Sequence, residues 1–401
     1  MTLEELFYNW IGTYLQHSTV LFQKGEEFSK NIPITKLDGL ASVKKEVVYL
    51  LAVKKDDQEQ YTFVYVGITT ETVVTRWKSH LIEFSKQDKK SYRAWKDLLF
   101  ADEKAKHDTY LFAIEQASIE FSPLHKIPKP SISSVEKELI NILDLLNPTM
   151  LLNYEAKQRD TYATGKIRVI SEVPIITTMK TKQEIIAWLK GLPNCSFTPL
   201  FAENEDGTIK TWSKPYTNQK KNETTNNTII SRHPDMEQAI VKIVNDGFTR
   251  DDWRGLFYIM GRGATLDDFE ILYIGKAEAQ GVQNDISANL QDVKQGQKKN
   301  KFARWGDALA YHIGDLSQAV FGNAGYKDAS PKYLRWANAL FQSTEPLKLK
   351  GATYLYVAPW YDDSVSFSGL PCTLAGIEYA LIAISAKHAN NPQDLLNEDG
   401  K

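Results

Sequence analysis

Cysteine is nearly absent from this chain: 401 residues carry only Cys195 and Cys372, in unrelated contexts. Two thiols cannot build a disulfide framework or a four-thiolate zinc site, so both read as reduced and structural. An excess of positive charge is also missing. Lys and Arg total 48 against 50 Asp and Glu, a formal charge of −2, which argues against a surface coated for sequence-indifferent binding to nucleic acid but leaves room for local patches. No apolar run approaches the roughly 20 residues that cross a bilayer. The opening MTLEELFYNW is acidic and amphipathic, unlike a secretion signal, and a cytoplasmic protein without membrane contact is expected. Several reactive signatures are absent too: there is no H-E-x-x-H, no paired C-x-x-C, no G-x-S-x-G and no G-K-[ST] loop, which argues against the chemistries those motifs carry.

What is present points to a folded, multidomain protein. The composition is 42% hydrophobic, 24% charged and 11% aromatic, and the length exceeds what one small core organises. Residues 1–40 carry Leu3, Phe7, Ile11 and Leu15 at helical spacing and read as a helical arm. KEVVYLLAV (45–53) and YTFVYVG (61–67), separated by the polar KKDDQEQ, form a hairpin signature followed by a helix from about Glu71. Residues 107–122 suggest a further strand, and SSVEKELINILDLL (133–146) a helix opening on a Ser133-to-Glu136 capping box and ending at Asn147-Pro148. The tract TNQKKNETTNNT (217–228) reads as a flexible polar loop.

The later sequence repeats the earlier one. WRGLFYIMG (253–261) and ILYIGKA (271–277) form a second hairpin, and aligning Tyr65-Val66-Gly67 with Tyr273-Ile274-Gly275 at equal spacing places Phe257 opposite Tyr49. Glu136 with Leu139-Ile140 recurs as Glu378 with Leu381-Ile382, each helix runs into Asn-Pro, and Leu-Leu-Asn follows at 151–153 and 395–397. An internal repeat is therefore expected.

The chemistry gathers at the end of the first hairpin. Val73, Val74, Trp77, Leu81 and Phe84 make an apolar helical stripe, and Arg76 and His80, four residues apart, share a face at its edge. An arginine there can hold a phosphate by bidentate hydrogen bonds, and a histidine can move a proton. Tyr49 and Tyr65 on paired strands bring two phenols toward the same edge, each able to act as a base only if a neighbouring cation lowers its pKa. Glu136 borders the buried stripe of its helix and could hold a hard cation mostly through waters, although a capping-box glutamate needs no such role; Glu378 repeats it with Ala375 three residues before. Two basic patches, Lys89, Lys90, Arg93 and Lys96 in KKSYRAWK, and Lys298, Lys299 and Lys301 in KQGQKKNKFAR, are candidates for nucleic-acid contact.

Taken together, V-V-Y (47–49), Y-V-G (65–67), R-W-K-S-H (76–80), E-K-E-L-I (136–140) and Asn153 resemble the GIY-YIG nuclease superfamily over about residues 45–155. The resemblance implies an α/β (α+β) fold of two small domains, each with a central antiparallel sheet flanked by helices, and hydrolysis of phosphodiester bonds in DNA with one Mg²⁺ or Mn²⁺. It implies Tyr49 as general base, Tyr65 positioning water or phosphate, Arg76 stabilising the developing charge, His80 assisting proton transfer, Glu136 binding metal and Asn153 bracing the site. In the second copy Phe257 would occupy the base position with Tyr258 on the other sheet face, and the candidates are Tyr258, Tyr273, Arg304, His312, Glu378 (metal) and Asn397. The expected layout is an arm at 1–40, a nuclease-like domain at 41–158, a connecting region at 159–245 and a divergent second domain at 246–401. A plausible setting is restriction or phage defence, with a homodimer if only one site works. The competing reading is a catalytically inactive nucleic-acid-binding or protein-interaction protein that keeps the fold.

Overall fold

VVYLLAV offers no polar face, so the strand it forms must be covered on both sides, and it becomes an inner strand. The computed structural model describes residues 1–29, 45–55, 60–86, 90–147, 150–153, 178–218, 223–280, 286–287, 290, 316–323 and 329–400. They fall into two units: residues 1–179 with 368–383 and 399–401, and residues 180–367 with 384–398.

The first unit runs Leu3–Tyr14 (α1), His17–Phe22 (β1), Val47–Lys54 (β2), Thr62–Thr69 (β3), Val73–Lys86 (α2), Lys90–Leu99 (α3), Phe100–Ala101 (β4), Lys104–Ala105 (β5), Asp108–Glu115 (β6) and Ile132–Leu146 (α4). Its main sheet is antiparallel, in the order β1-β6-β2-β3. Alternation along β2 sends Val48 and Leu50 to one face, where they join Leu3 and Phe7 of α1 and Val135 and Leu139 of α4. Tyr49, Leu51 and Val53 go to the other face, where Trp77 and Leu81 of α2 and Trp95 of α3 complete a second core. The N-terminal segment expected as an arm thus belongs to the domain itself: α1 is packed into the core and β1 pairs with β6.

The second unit runs Lys182–Gly191 (α5), Ser196–Pro199 (β7), Thr211–Asn218 (β8), Glu223–Ile230 (β9), Pro234–Gly247 (α6), Trp253–Arg262 (β10), Glu270–Glu278 (β11), Ser317–Phe321 (α7), Pro331–Leu340 (α8), Phe341–Thr344 (β12), Leu347–Leu349 (β13) and Thr353–Tyr361 (β14). Leu374–His388 (α9) follows, with residues 374–383 grouped in the first unit and 384–388 in the second. The sheet order β7-β14-β10-β11 reproduces that of the first unit strand for strand. The likeness extends to detail: α1 and α5 both start with a reciprocal Thr–Glu capping box, Thr2–Glu5 and Thr181–Glu184, and Thr109 and Thr353 each turn a hydroxyl back on the carbonyl two residues earlier.

Three expectations change. The described part of the region read as a connection, residues 178–245, supplies α5, β7, β8, β9 and α6 of the second unit. The tract read as a flexible loop supplies the end of β8 and most of β9, which pair as a two-stranded ribbon, because its threonines suit a pleated strand and Thr217 meets Thr224 across it at 3.1 Å. The first turn of α4 is capped by Ser131, whose hydroxyl accepts from the Ser134 amide, so Ser133 lies inside the helix and Glu136 is not a capping residue. No helix among the described residues is long and apolar enough to cross a membrane.

Candidate active site

The hairpin fixes the first tyrosine. Tyr49 on β2 stands opposite Gly67 on β3, and its ring lies where a β-carbon on residue 67 would be, 2.5 Å from Tyr49 Cζ. Only glycine leaves room for the phenol to cross the neighbouring strand. Tyr65, two residues earlier on the same face, sits beside it with ring centroids 6.1 Å apart.

Helix α2 brings two further groups to the Tyr49 hydroxyl. His80 Nε2 lies 3.0 Å from Tyr49 Oη, and Arg76 Nε donates to the same oxygen at 3.3 Å. The one-turn spacing of Arg76 and His80 makes this convergence possible. His80 is buried whereas Arg76 stays exposed, so the imidazole is enclosed and the guanidinium faces solvent. Trp95 of α3 closes the group, stacking on His80 at 5.4 Å and tilted against Tyr65 at 4.3 Å.

Burial raises the Tyr49 hydroxyl above the ordinary phenol range, and Arg76 opposes that rise without reversing it. Burial likewise raises Tyr65, with the charges of Tyr49 and Glu136 adding to it. Burial and then Arg76 lower His80 to about 4. All three groups are therefore neutral near pH 7. Arg76 alone does not meet the condition for a base tyrosine, a neighbouring cation that lowers its pKa: desolvation of a fully enclosed ring outweighs one guanidinium at its hydroxyl.

Glu136, on α4, is close enough for its charge to act on both phenols. Its side chain is 14% exposed and lies 3.2 Å from Lys137 Nζ. The glutamate two residues on serves another purpose: Glu138 accepts from the Leu124 and His125 amides at 2.6 and 3.2 Å and pairs with His125 Nδ1 at 2.9 Å, which locks a loop. Asn153 spans the backbone between Tyr65 and Gly67, its Oδ1 accepting from Val66 N at 2.9 Å and its Nδ2 donating to Val66 O at 2.7 Å. Among the described residues there is no cluster of three or more His, Cys, Asp or Glu that could hold a metal. A hard cation here would rest on Glu136 and water ligands, which suits Mg²⁺ better than zinc.

The second unit repeats the frame with different charges. Tyr258 pairs with Gly275 as Tyr49 does with Gly67, and a β-carbon on residue 275 would fall 2.4 Å from Tyr258 Cζ. Tyr258, not Phe257, is thus the counterpart of Tyr49, and the placement of Phe257 at the base position is corrected. The bulges match, lying just beyond the pairs Leu51↔Tyr65 and Met260↔Tyr273. The second hairpin turn is one residue shorter, so equal spacing slips the register and turns each side chain to the wrong face. Tyr273 lies 6.2 Å from Tyr258 and 4.4 Å from Trp336 of α8, the values of the first unit to within 0.1 Å. Asn397 grips Ile274 through both backbone groups, at 3.0 and 2.8 Å. Among the described residues the charge found here is Lys332, which donates to Tyr273 Oη at 3.2 Å.

The remaining candidates are placed as follows. Glu378 is half-buried on the part of α9 grouped with the first unit. Lys96 is paired with Glu103. Lys90 and Arg93 lie along α3, while Lys89, Lys298, Lys299, Lys301, Arg304 and His312 fall outside the described residues. Sequence reading missed Trp95, Trp336 and Lys332. Their signal was available, because YRAWKDLLF (92–100) and YLRWANALF (333–341) share Y-x-x-W-x-x-x-L-F. No family model, curated protein or solved structure matches this chain.

Proposed function

We propose that the chain is a divalent-metal-dependent endonuclease that hydrolyses phosphodiester bonds in DNA, with the first unit as catalyst. The observation that carries this reading is the meeting of Arg76 and His80 on the hydroxyl of one buried tyrosine, Tyr49. A tyrosine kept only for packing needs neither group, whereas phosphodiester hydrolysis needs a cation for the developing charge and a route for a proton. The ordered motifs that resemble the GIY-YIG nucleases give the same reaction class.

Because both phenols stay neutral, no standing phenolate is required. The attacking water passes a proton to Tyr49 Oη as the Tyr49 proton passes to His80 Nε2, held in its acceptor tautomer. The water oxygen bonds to phosphorus, the bond to the departing sugar oxygen breaks, and that oxygen takes a proton from solvent. His80 then releases its proton. Arg76, anchored at Tyr49 and exposed, meets the non-bridging oxygens, and Tyr65 orients the water or the phosphate. Mg²⁺ or Mn²⁺ bound near Glu136 supplies added charge neutralisation at the phosphate.

We take the second unit as a DNA-binding domain, with Lys332 at Tyr273 offering a point charge for phosphate. A homodimer would then bring two first-unit sites to the two strands. The test is cleavage of supercoiled plasmid with Mg²⁺ or Mn²⁺ by the wild type, Glu136→Ala and Glu378→Ala. Loss in Glu136→Ala alone is the expected result. Conversion from linear to nicked product in either variant would mean two working sites, and no metal-dependent cutting of plasmid, single-stranded DNA or RNA by the wild type would overturn the enzyme reading.

A further inference from the structure

The reaction asks more of His80 than its place on α2 supplies. A helix sets where the side chain starts, but rotation of an imidazole about its own bond is broad and roughly two-fold. The backbone alone therefore does not aim Nε2 at Tyr49 Oη, 3.0 Å away. A neighbouring group has to hold the plane of the ring.

Four aromatic rings surround this imidazole, with centroids 6.4 Å (Tyr49), 6.1 Å (Tyr65), 5.3 Å (Trp77) and 5.4 Å (Trp95) from its own. Tyr49, Tyr65 and Trp77 meet it steeply, at 63°, 78° and 60°. Trp95 lies at 26°, close to parallel. A near-parallel face bars the imidazole from turning out of its plane, and the hydrogen bond to Tyr49 then selects the edge that faces the phenol. Trp95 alone of the four comes from α3, the others belonging to the hairpin and α2.

The seat of Trp95 is firm. Trp95, Leu99 and Phe100 are buried in one core with Trp77 and Leu81, the Lys106 amide donates to the Leu99 carbonyl at 2.9 Å, and Lys96 pairs with Glu103. Packing accounts for one of its contacts. Trp95 tilts against Tyr65 at 4.3 Å and 59°, as Trp336 does against Tyr273 at 4.4 Å and 56°, so that contact belongs to the frame both units share. The stack on His80 is a further contact, outside that shared pair.

We propose that Trp95 is a positioning residue for the cleavage reaction: its indole face holds the imidazole of His80 in the plane from which Nε2 takes the Tyr49 proton. This rests on the nuclease reading, in which His80 is the proton acceptor. The indole meets neither the attacking water nor the phosphate in that scheme and acts through His80. Misplacing a reacting group by about 1 Å can cost about 10²-fold in rate, so a ring free to rotate would be a poor acceptor.

The test compares, in the full chain, Trp95→Phe, which keeps a flat face, with Trp95→Leu, which keeps an apolar side chain without one. In plasmid cleavage with Mg²⁺, Trp95→Leu should lower kcat about 10²-fold with KM changed less than about twofold, and Trp95→Phe should stay within about threefold of the wild type. NMR of the histidine ring nitrogens supplies a readout that needs no activity, His80 being assigned by its loss in His80→Gln. One tautomer, protonated at Nδ1, is expected in the wild type and Trp95→Phe, and averaged tautomers in Trp95→Leu. Wild-type kcat in Trp95→Leu, a single His80 tautomer in that variant, or equal rate losses in both variants that track a lowered unfolding temperature would each overturn the positioning role and leave the nuclease reading standing. No metal-dependent cutting by the wild type would overturn the nuclease reading and the purpose assigned to Trp95, while the NMR comparison would still decide whether the indole holds the ring.

Discussion

The two tyrosine pairs of this chain share one frame and, among the described residues, differ in the charges aimed at it. In each unit a glycine on the outer strand admits a phenol from the inner one, a tryptophan seals the second phenol, and an asparagine fixes the backbone between them. Among the described residues the first unit adds Arg76 and His80 at Tyr49, and the second adds Lys332 at Tyr273. The frame is therefore a packing solution that recurs in both units. Tyrosine and glycine alone do not indicate catalysis in either unit; the proposed nuclease activity rests on Arg76 and His80 of α2 meeting at Tyr49.

The sharpest way to break this comparison is to remove the cations one at a time. Arg76→Ala should lower the cleavage rate about 10²- to 10³-fold, the usual loss when a group stabilising transition-state charge is deleted. Lys332→Ala should leave the rate nearly unchanged and weaken DNA binding at moderate salt, as measured by plasmid cleavage and fluorescence anisotropy in parallel. Comparable losses of rate in both variants would make the two sites chemically equivalent.

The shared frame should fail alike in both units. Asn153→Ala and Asn397→Ala each strip an amide and a carbonyl of their partners, at about 1–3 kcal/mol per buried group, and each should lower the unfolding temperature of its own unit in calorimetry. His80 gives the first unit a pH-dependent stability. Its folded pKa of about 4 lies below the ordinary value of 6.5, so between those pH values the unfolded chain binds a proton that the folded chain does not. Stability should accordingly rise with pH across that window and be lost as pH falls through it, by about 3 kcal/mol at most. Urea unfolding at the two ends of the window should show this in the wild type and not in His80→Gln. The smallest expected effect, about 1–3 kcal/mol of overpacking, belongs to Gly67→Ala and Gly275→Ala, which drive a β-carbon into Tyr49 or Tyr258.

Much of this frame was legible in the residues. Both hairpins were marked by apolar runs around polar turns, and Leu-Leu-Asn recurred because the same backbone clamp recurs. The register of the second hairpin was not legible, since a turn one residue shorter leaves the motif Y-I-G intact while moving its partner from Phe257 to Tyr258. The ribbon was hidden because Thr and Asn suggest loops by composition, while its pairing depends on the anchors Asn323 and Ser317, about 90 residues away in sequence. The protonation states were out of reach for a similar reason: the sequence places Arg76 near Tyr49 but does not reveal how completely Trp77, Trp95 and Leu51 exclude water from the ring. Motif order carried the placement of groups, and burial decided their charge.

The asparagine clamp has one more consequence, for how these sheets meet the outside. β3 and β11 are the last strands of their sheets, and an uncovered last strand presents a row of amides and carbonyls on which a foreign strand can grow. Asn153 and Asn397 imitate a peptide group, one donor and one acceptor apiece, and Leu152 and Leu396 add a true backbone hydrogen bond to Val64 and Leu272 at 2.7 Å. Three residues, Leu-Leu-Asn, thus act as a sheet terminator: among the described residues each sheet has four strands, and Leu-Leu-Asn occupies the outer border nearest the tyrosines, where a foreign strand would otherwise pair.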